Sequence, residues 1–313
     1  MIFDDVRSAV DSPGFATGFF AGSLALAAGV LVILALPRSG RRVVPLAGLL
    51  LVGAALVALA DQDRLPDELV PGVGLLALAG ALAAAAGRLH LPPAGAAAVL
   101  SLPGAWLVAG ATGLDETGPR LVLVTTIALA GALVGAGDHQ YRQLGLGPVL
   151  LLATLAGAYA TVPDTERALI VLGAALPLAV LGWPWPLASL GRAGAPATVG
   201  LLAWVAVTDG SARAGSTVGA MACLGILLVE PVARMFRAGR GYESDRGDGL
   251  AAWPTVLPII FVHVVLVTVA SRIAGFRSSA WEAGAIAGVA LVIAVVVAVR
   301  WPVQLPVTGM TRR

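Results

Sequence analysis

The chain has 313 residues, of which 58% are hydrophobic and 12% are charged, and its mean hydropathy is +0.91. The 20 basic residues are all arginine, the net charge is only +2, and no basic stripe with interleaved aromatic residues indicates nucleic-acid binding. The one cysteine, Cys223, excludes an intramolecular disulfide bond and a cysteine-based metal site. These features predict an integral membrane protein without a soluble domain.

Apolar segments follow one another along almost the whole chain. Most are about as long as a bilayer core requires, which is ~20 residues of helix. Backbone amides in lipid have to be satisfied within a segment, so runs rich in Ala, Leu, Val and Gly predict helices. We therefore expect an all-α, polytopic fold in which residues 1–313 form a single membrane domain. The eleven predicted membrane-spanning helices are 15–36, 43–60, 69–86, 94–112, 120–136, 145–162, 167–182, 196–208, 214–232, 252–271 and 281–300.

The gaps between these segments alternate in charge. One set of gaps holds 13 of the 20 arginines and, counting Glu230, 5 of the 18 acidic residues, whereas the other set holds 7 arginines and 13 acidic residues. Arginine is retained on the cytoplasmic side, so this pattern predicts an N-terminus outside and a C-terminus in the cytoplasm, as an odd number of spans requires. We expect a multi-pass protein of the bacterial plasma (inner) membrane. The arginine-rich gaps are 37–42, 87–92, 137–144, 183–195, 233–250 and the tail from 300.

The start of the chain bears on whether the first helix is retained. Asp4, Asp5 and Asp11 make it acidic. A cleaved signal peptide would have a basic region there, so the first predicted helix is expected to remain in the protein.

The fifth predicted cytoplasmic loop, 230–250, carries the most specific motif, EPVARMFRAGRGYESDRGDGL. It resembles the loop Arg–x–x–x–Gly–Arg–Ser–Pro–Phe–Ser–Pro–Asp–Arg–x–His–Leu–His–His of the polyprenyl-phosphate N-acetylhexosamine-1-phosphate transferases. This is glycosyltransferase family 4, which includes the UDP-GlcNAc and phospho-MurNAc-pentapeptide transferase types. The residues at or within one position of the family pattern are Arg237, Gly239, Arg240, Asp245 and Arg246.

The first two loops resemble the family at the corresponding places. PRSGRRVVPLAG, at 37–48, is similar to Pro–x–x–Arg…Pro–x–x–Gly–Gly. GALAAAAGRLHLPP, at 80–93, is similar to Gly–x–x–Asp–Asp–x–x–x–x–Leu–x–Pro, with Ala83 and Ala84 in place of the two aspartates.

The third and fourth loops continue this order, so that the resemblance extends from about residue 15 to residue 300. GAGDHQYRQLG, at 135–145, matches the family's Asn–x–x–Asp–Gly–x–Asp–Gly at Asp138, and His139 replaces the following glycine. SLGRAGAPATVG, at 189–200, is similar to Leu–Gly–Asp–Ala–Gly–Ser, with Arg192 where the aspartate belongs.

The resemblance implies transfer of a sugar phosphate from a UDP-sugar to the phosphate of a membrane polyprenol, with release of UMP. Such a reaction needs Mg²⁺ held by carboxylates, and in the family the aspartates of the second to fourth loops supply them. Alanine cannot bind a metal, and Arg192 brings a positive charge to a cation site. Asp138 and Asp245 are the carboxylates left to touch a metal, so we expect no cofactor and a lost phosphotransfer reaction.

The candidate site follows from the same loops. Asp138 is the candidate catalytic and metal-binding residue, although we expect no metal to be bound. We hypothesise that Arg192 replaces the magnesium ion, pairs with Asp138 and leaves a cationic pocket for a phosphate or diphosphate. In the alternative interpretation, Arg192 only determines topology and Asp138 belongs to a local turn. The candidate substrate-binding residues are His139, Arg142, Arg192, Arg240, Asp245 and Arg246.

Three functions are compatible with the sequence. The first is a pseudoenzyme that contacts membrane lipids, holds polyprenyl phosphate or a related intermediate, or forms a homo- or hetero-oligomer with cell-envelope synthesis proteins. The second is an active, Mg²⁺-dependent phosphoglycosyl transferase with a site rearranged around Asp138, Asp245 and Asp248. The third is a transporter, which is disfavoured because the ionisable residues lie in loops and not in the middle of helices.

Overall fold

A computed structural model describes residues 9–35, 44–86, 93–114, 116–144, 165–181 and 187–207, together with eight positions between 282 and 296. Every regular element in these residues is a helix, which confirms the predicted all-α class for this part of the chain. The predicted spans 145–162, 214–232 and 252–271 lie outside it. The named helices are α1 (Pro13–Ala35), α2 (Ala47–Asp61), α3 (Leu69–Ala86), α4 (Pro93–Gly110), α5 (Thr117–Leu144), α6 (Thr165–Ala179) and α7 (Gly194–Val207).

Three helices in the described residues are long and apolar enough to cross a membrane. They are α1, α3 and the Thr117–Ala136 part of α5. The helical parts Ala47–Asp61, Ala94–Gly110 and Gly194–Val207 are apolar but shorter. Length and composition therefore indicate a membrane protein.

Helix α5 corrects one sequence prediction. Residues 137–144 were expected to form a loop, but the helix continues through them to Leu144. This part of the chain has no proline and includes glutamine, arginine and leucine, which favour helix. The 28 residues of α5 would extend about 42 Å, whereas a bilayer core is about 30 Å thick. The polar last turns can thus continue the helix beyond an apolar layer.

Helix α1 packs on α6 through glycine. Its buried residues are Gly14, Gly18, Gly22 and Gly29. A Cβ atom at Gly18 would overlap the carbonyl oxygen of Ile170, and one at Gly22 would overlap that of Ala174. The two backbones approach closely because the glycines present no side chain, as small residues permit in membrane helices.

Helix α7 lies at the centre of the described bundle. All of its residues are buried, and it packs against α2, α3 and α5. Gly194 crosses Gly48 of α2 so closely that a Cβ atom on Gly194 would lie 2.8 Å from the Gly48 Cα atom. The small residues at the start of α7 therefore allow a short helix to be enclosed by its neighbours.

Contacts divide the bundle into two ends. At the pocket end, which we define by residues 44–48, 80–86 and 187–196, the start of α7 contacts α2 and α3. At the ion-pair end, which we define by residues 61–68, 106–120 and 165–167, Arg64 pairs with Glu166. Helices α5 and α6 both run from the ion-pair end to the pocket end.

Candidate functional site

An extended segment at the pocket end positions Arg192. The backbone N–H of Val44 donates to the carbonyl of Leu187 at 3.1 Å, and the N–H of Ser189 donates to the carbonyl of Val44 at 2.9 Å. The N–H groups of Ala47 and Gly48 then donate to the carbonyls of Ser189 and Leu190. These bonds satisfy the first N–H groups of α2, which have no partner within their own helix.

This pairing also corrects the predicted start of the second segment. The span 43–60 was expected to be helical throughout, but α2 begins at Ala47. The residues just before it are engaged in hydrogen bonds with the distant residues 187–190. Local composition does not reveal such a pairing, because its partner lies about 140 residues away in the chain.

The turn before Arg192 depends on glycine. Gly191 has a φ of +80°, and a Cβ atom there would overlap the carbonyl oxygen of Pro45. Arg192 follows directly, and its own carbonyl oxygen lies against Gly80 of α3, where a Cβ atom would overlap it. Glycines on two sides thus fix the backbone of the residue that carries the guanidinium.

A cavity of about 100 Å³ lies beside Arg192, between α3, α4, α5 and the start of α7. Glycine and alanine provide most of its wall, and the Arg192 side chain is exposed. The cavity is lined by Gly80, Ala83, Ala84, Ala94, Ala97, Gly131, Ala132, Gly135, Ala136, Arg192 and Pro196.

The cavity brings together residues from two motifs that are distant in the sequence. Ala83 and Ala84, which stand where the resemblance expects aspartates, line the same cavity as Arg192. Gly131 and Gly135 of α5 complete the opposite wall, and Gly131 packs against Pro196 of α7.

The other candidate residues are described only in part or not at all. Asp138, His139 and Arg142 lie in the last turns of α5, but their side chains are outside the described part of the structure. By helical register, positions 138 and 142 fall on the same face of α5 as Gly131 and Gly135. Arg240, Asp245 and Arg246 lie outside the described residues.

The described wall of the cavity contains little charge. Arg192 is its one charged residue, and none of its described lining residues is a carboxylate. In the described ranges as a whole, no group of three or more His, Cys, Asp or Glu residues could hold a metal ion. The carbonyl oxygen of Arg192 lies against Gly80 and Gly135 in this wall, and the residue itself is exposed.

The ion-pair end contains contacts that the sequence analysis did not predict. The Trp204 indole Nε1 of α7 donates to the carbonyl of Ala111 at 3.0 Å, and the Arg167 guanidinium lies 5.3 Å from the centre of the same ring. Arg120 of α5 lies 4.3 Å from the ring centre of Trp106 on α4. The sequence signal for these contacts is weak, since it consists only of arginine and tryptophan near segment ends.

Comparisons with known proteins do not assign the chain to a family. No protein-family model matches the chain, and no curated protein or solved structure matches it.

Proposed function

We propose that this protein is a catalytically inactive relative of the polyprenyl-phosphate sugar-1-phosphate transferases that binds the phosphate of a membrane polyprenol at the pocket end. The observation that carries the proposal is the position of Arg192 beside a cavity whose other described walls are small and uncharged. A lipid-linked phosphate fits this arrangement, because its charge meets the guanidinium while its chain remains in the bilayer.

The charges of the cavity favour binding without metal-dependent transfer. A unit positive charge placed ~4 Å from a guanidinium would be repelled by roughly 1–4 kcal/mol, and a divalent cation by about twice as much. Mg²⁺ would therefore need several carboxylates to offset Arg192, and Ala83 and Ala84 do not provide them. The guanidinium itself can neutralise the phosphate that Mg²⁺ would otherwise bind.

The size of the cavity supports the same choice of ligand. Sites that enclose small organic ligands have volumes of about 300–1,000 Å³. The described part of the cavity beside Arg192 has about 100 Å³, which is enough for a phosphate group.

In this proposal Asp138 orients Arg192. Position 138 shares a face of α5 with Gly135, whose Cβ position would lie 3.8 Å from the Arg192 carbonyl oxygen. A carboxylate that accepts from one edge of the guanidinium would leave the other edge for the phosphate.

We also propose that the pocket end faces the cytoplasm of a bacterium and that the chain crosses its plasma membrane eleven times. The arginine-rich gaps support this orientation. In a Cys223→Ser background, Arg64→Cys should react with a membrane-impermeant maleimide on intact cells, whereas Arg192→Cys should react only after the cells are opened. The reverse pattern would invert the proposed orientation.

The binding test compares variants of Arg192. Arg192→Gln should weaken the binding of polyprenyl phosphate to purified protein by about ten-fold or more, because a hydrogen-bonded charge pair is lost. Arg192→Lys should retain part of the affinity, since lysine keeps the charge without the planar fork. Native mass spectrometry measures the bound fraction, with the uncharged polyprenol as the control ligand.

A matched control separates this site from general loss of charge. Arg64→Gln removes an arginine at the ion-pair end and should leave the affinity for polyprenyl phosphate unchanged. The proposal is wrong if Arg192→Gln binds polyprenyl phosphate as tightly as the unaltered protein, or if polyprenol binds equally well.

A further inference from the structure

The contacts of Arg120 differ from those of Arg64, which lies at the same end of the bundle. Arg64 forms an ion pair with Glu166. The guanidinium of Arg120 stacks instead on Trp106, and its Nη2 donates to the Trp106 carbonyl at 3.4 Å. Its Nε is buried and has no hydrogen-bond partner among the described residues.

Gly110 leaves room for this guanidinium at the end of α4. A Cβ atom at Gly110 would lie 2.8 Å from the Nη2 atom of Arg120. The last turn of α4 and the first turns of α5 thus hold a positive charge against an aromatic ring. A guanidinium on the face of an indole can still donate from its edge, so an anion could accept from those N–H groups of Arg120 that are neither buried at Nε nor engaged with the Trp106 carbonyl.

Exposed apolar side chains adjoin the stacked pair. Trp106 is itself 41% exposed, and Val99 and Leu102 lie on the same side of α4 and are also exposed. On α5, Leu121 and Val122 follow Arg120 directly and are exposed. Tryptophan and arginine near the ends of apolar helices are typical of the membrane–water interface, with apolar residues at acyl-chain depth.

We propose that Arg120 and Trp106 form a binding position for an anionic phospholipid in the leaflet at the ion-pair end. The lipid phosphate accepts hydrogen bonds from the Arg120 guanidinium, and an acyl chain lies against the exposed apolar residues of α4 and α5. The ligand is a phospholipid and not a free phosphate, because the charge and the apolar surface adjoin each other at the depth where a headgroup meets its chains.

Glu116 provides an internal check on the electrostatics. It is exposed, and its backbone carbonyl accepts from the Arg120 N–H at 3.2 Å. Its carboxylate would repel a phosphate on the neighbouring turn. Glu116→Gln should therefore tighten phospholipid binding, and a weakened affinity in this variant would contradict the proposal.

The main experiment uses the full chain in detergent with phosphatidylglycerol as the probe, and native mass spectrometry as the measurement. Arg120→Gln should weaken the binding of one phosphatidylglycerol by about five-fold, which corresponds to one interfacial arginine. Arg120→Lys should keep most of the affinity, because the positive charge remains. Arg64→Gln, at the same end but normally ion-paired, is the matched control and should bind like the unaltered protein.

Two further ligands identify the source of the phosphate. Diacylglycerol, which has no phosphate, should bind more weakly than phosphatidylglycerol, and so should glycerol 3-phosphate, which has no acyl chains. Equal binding of either compound would overturn the proposal, as would equal losses in Arg120→Gln and Arg120→Lys. Running the series in an Arg192→Gln background removes the proposed polyprenyl-phosphate site, so that each proposal can fail without the other.

Discussion

At the scale of single residues, Gly191 is a position where both the backbone conformation and a neighbouring carbonyl disfavour any side chain. Its φ is in the left-handed region, and the carbonyl of Pro45 occupies the space that a Cβ atom would need. Both constraints act on the residue directly before Arg192. The placement of the guanidinium therefore depends on a neighbour that has no side chain.

Substitution of Gly191 tests this dependence. Gly191→Ala should destabilise the protein by more than the roughly 1–2 kcal/mol that the left-handed conformation alone costs an alanine. Gly113 is the matched control, because its φ is +75° and nothing lies within 4 Å of its Cβ position. Thermal unfolding in detergent measures both variants, and equal losses would mean that the contact with Pro45 does not constrain the turn.

The sequence singled out Arg192 as a candidate, but it did not predict the surface around it. Arg192 was identified because a positive charge stands where a family motif has a carboxylate. The contact of its carbonyl with Gly80, and that of Gly191 with Pro45, are long-range backbone contacts, and such contacts leave no signal except the presence of glycine. Glycine is too frequent in this chain, with 39 residues, to identify the ones that matter.

At the scale of helices, α1 and α7 show what composition predicts and what it does not. Both were expected as apolar segments, at 15–36 and 196–208, and both are helices close to those bounds. Yet α1 buries only glycines, whereas α7 is buried throughout. Lipid tails are as apolar as leucine, so hydropathy predicts that a helix is apolar but not which of its faces contact protein.

Two glycine-to-alanine substitutions, one on the glycine face of α1 and one on α3, should change the stability of the protein in different ways. Gly18→Ala should destabilise the protein by about 1–3 kcal/mol, because its Cβ atom would push α1 away from the backbone of α6. Gly74→Ala on α3 should be neutral or stabilising by up to about 1 kcal/mol, since its Cβ atom enters open space and alanine favours helix.

Thermal unfolding of the two variants in the same detergent distinguishes the effects. A Gly18→Ala protein as stable as the unaltered one would show that α1 and α6 do not pack through this face.

At the scale of the whole molecule, the two ends of the bundle differ in their chemistry. The ion-pair end is held by side-chain contacts such as Arg64 with Glu166, whereas the pocket end is held by close backbone contacts around Gly48 and Gly80. The small residues at the pocket end enclose a cavity, and Arg192 is the charged residue in its described lining.

The most direct test of the proposed function is the effect of divalent metal on the purified protein. Polyprenyl phosphate should bind with the same affinity in Mg²⁺ and in EDTA, because the Arg192 guanidinium replaces the cation. UDP-sugars should release no UMP under either condition. Binding that is lost in EDTA, or Mg²⁺-dependent UMP release that Asp138→Asn abolishes, would contradict the account and show an active transferase.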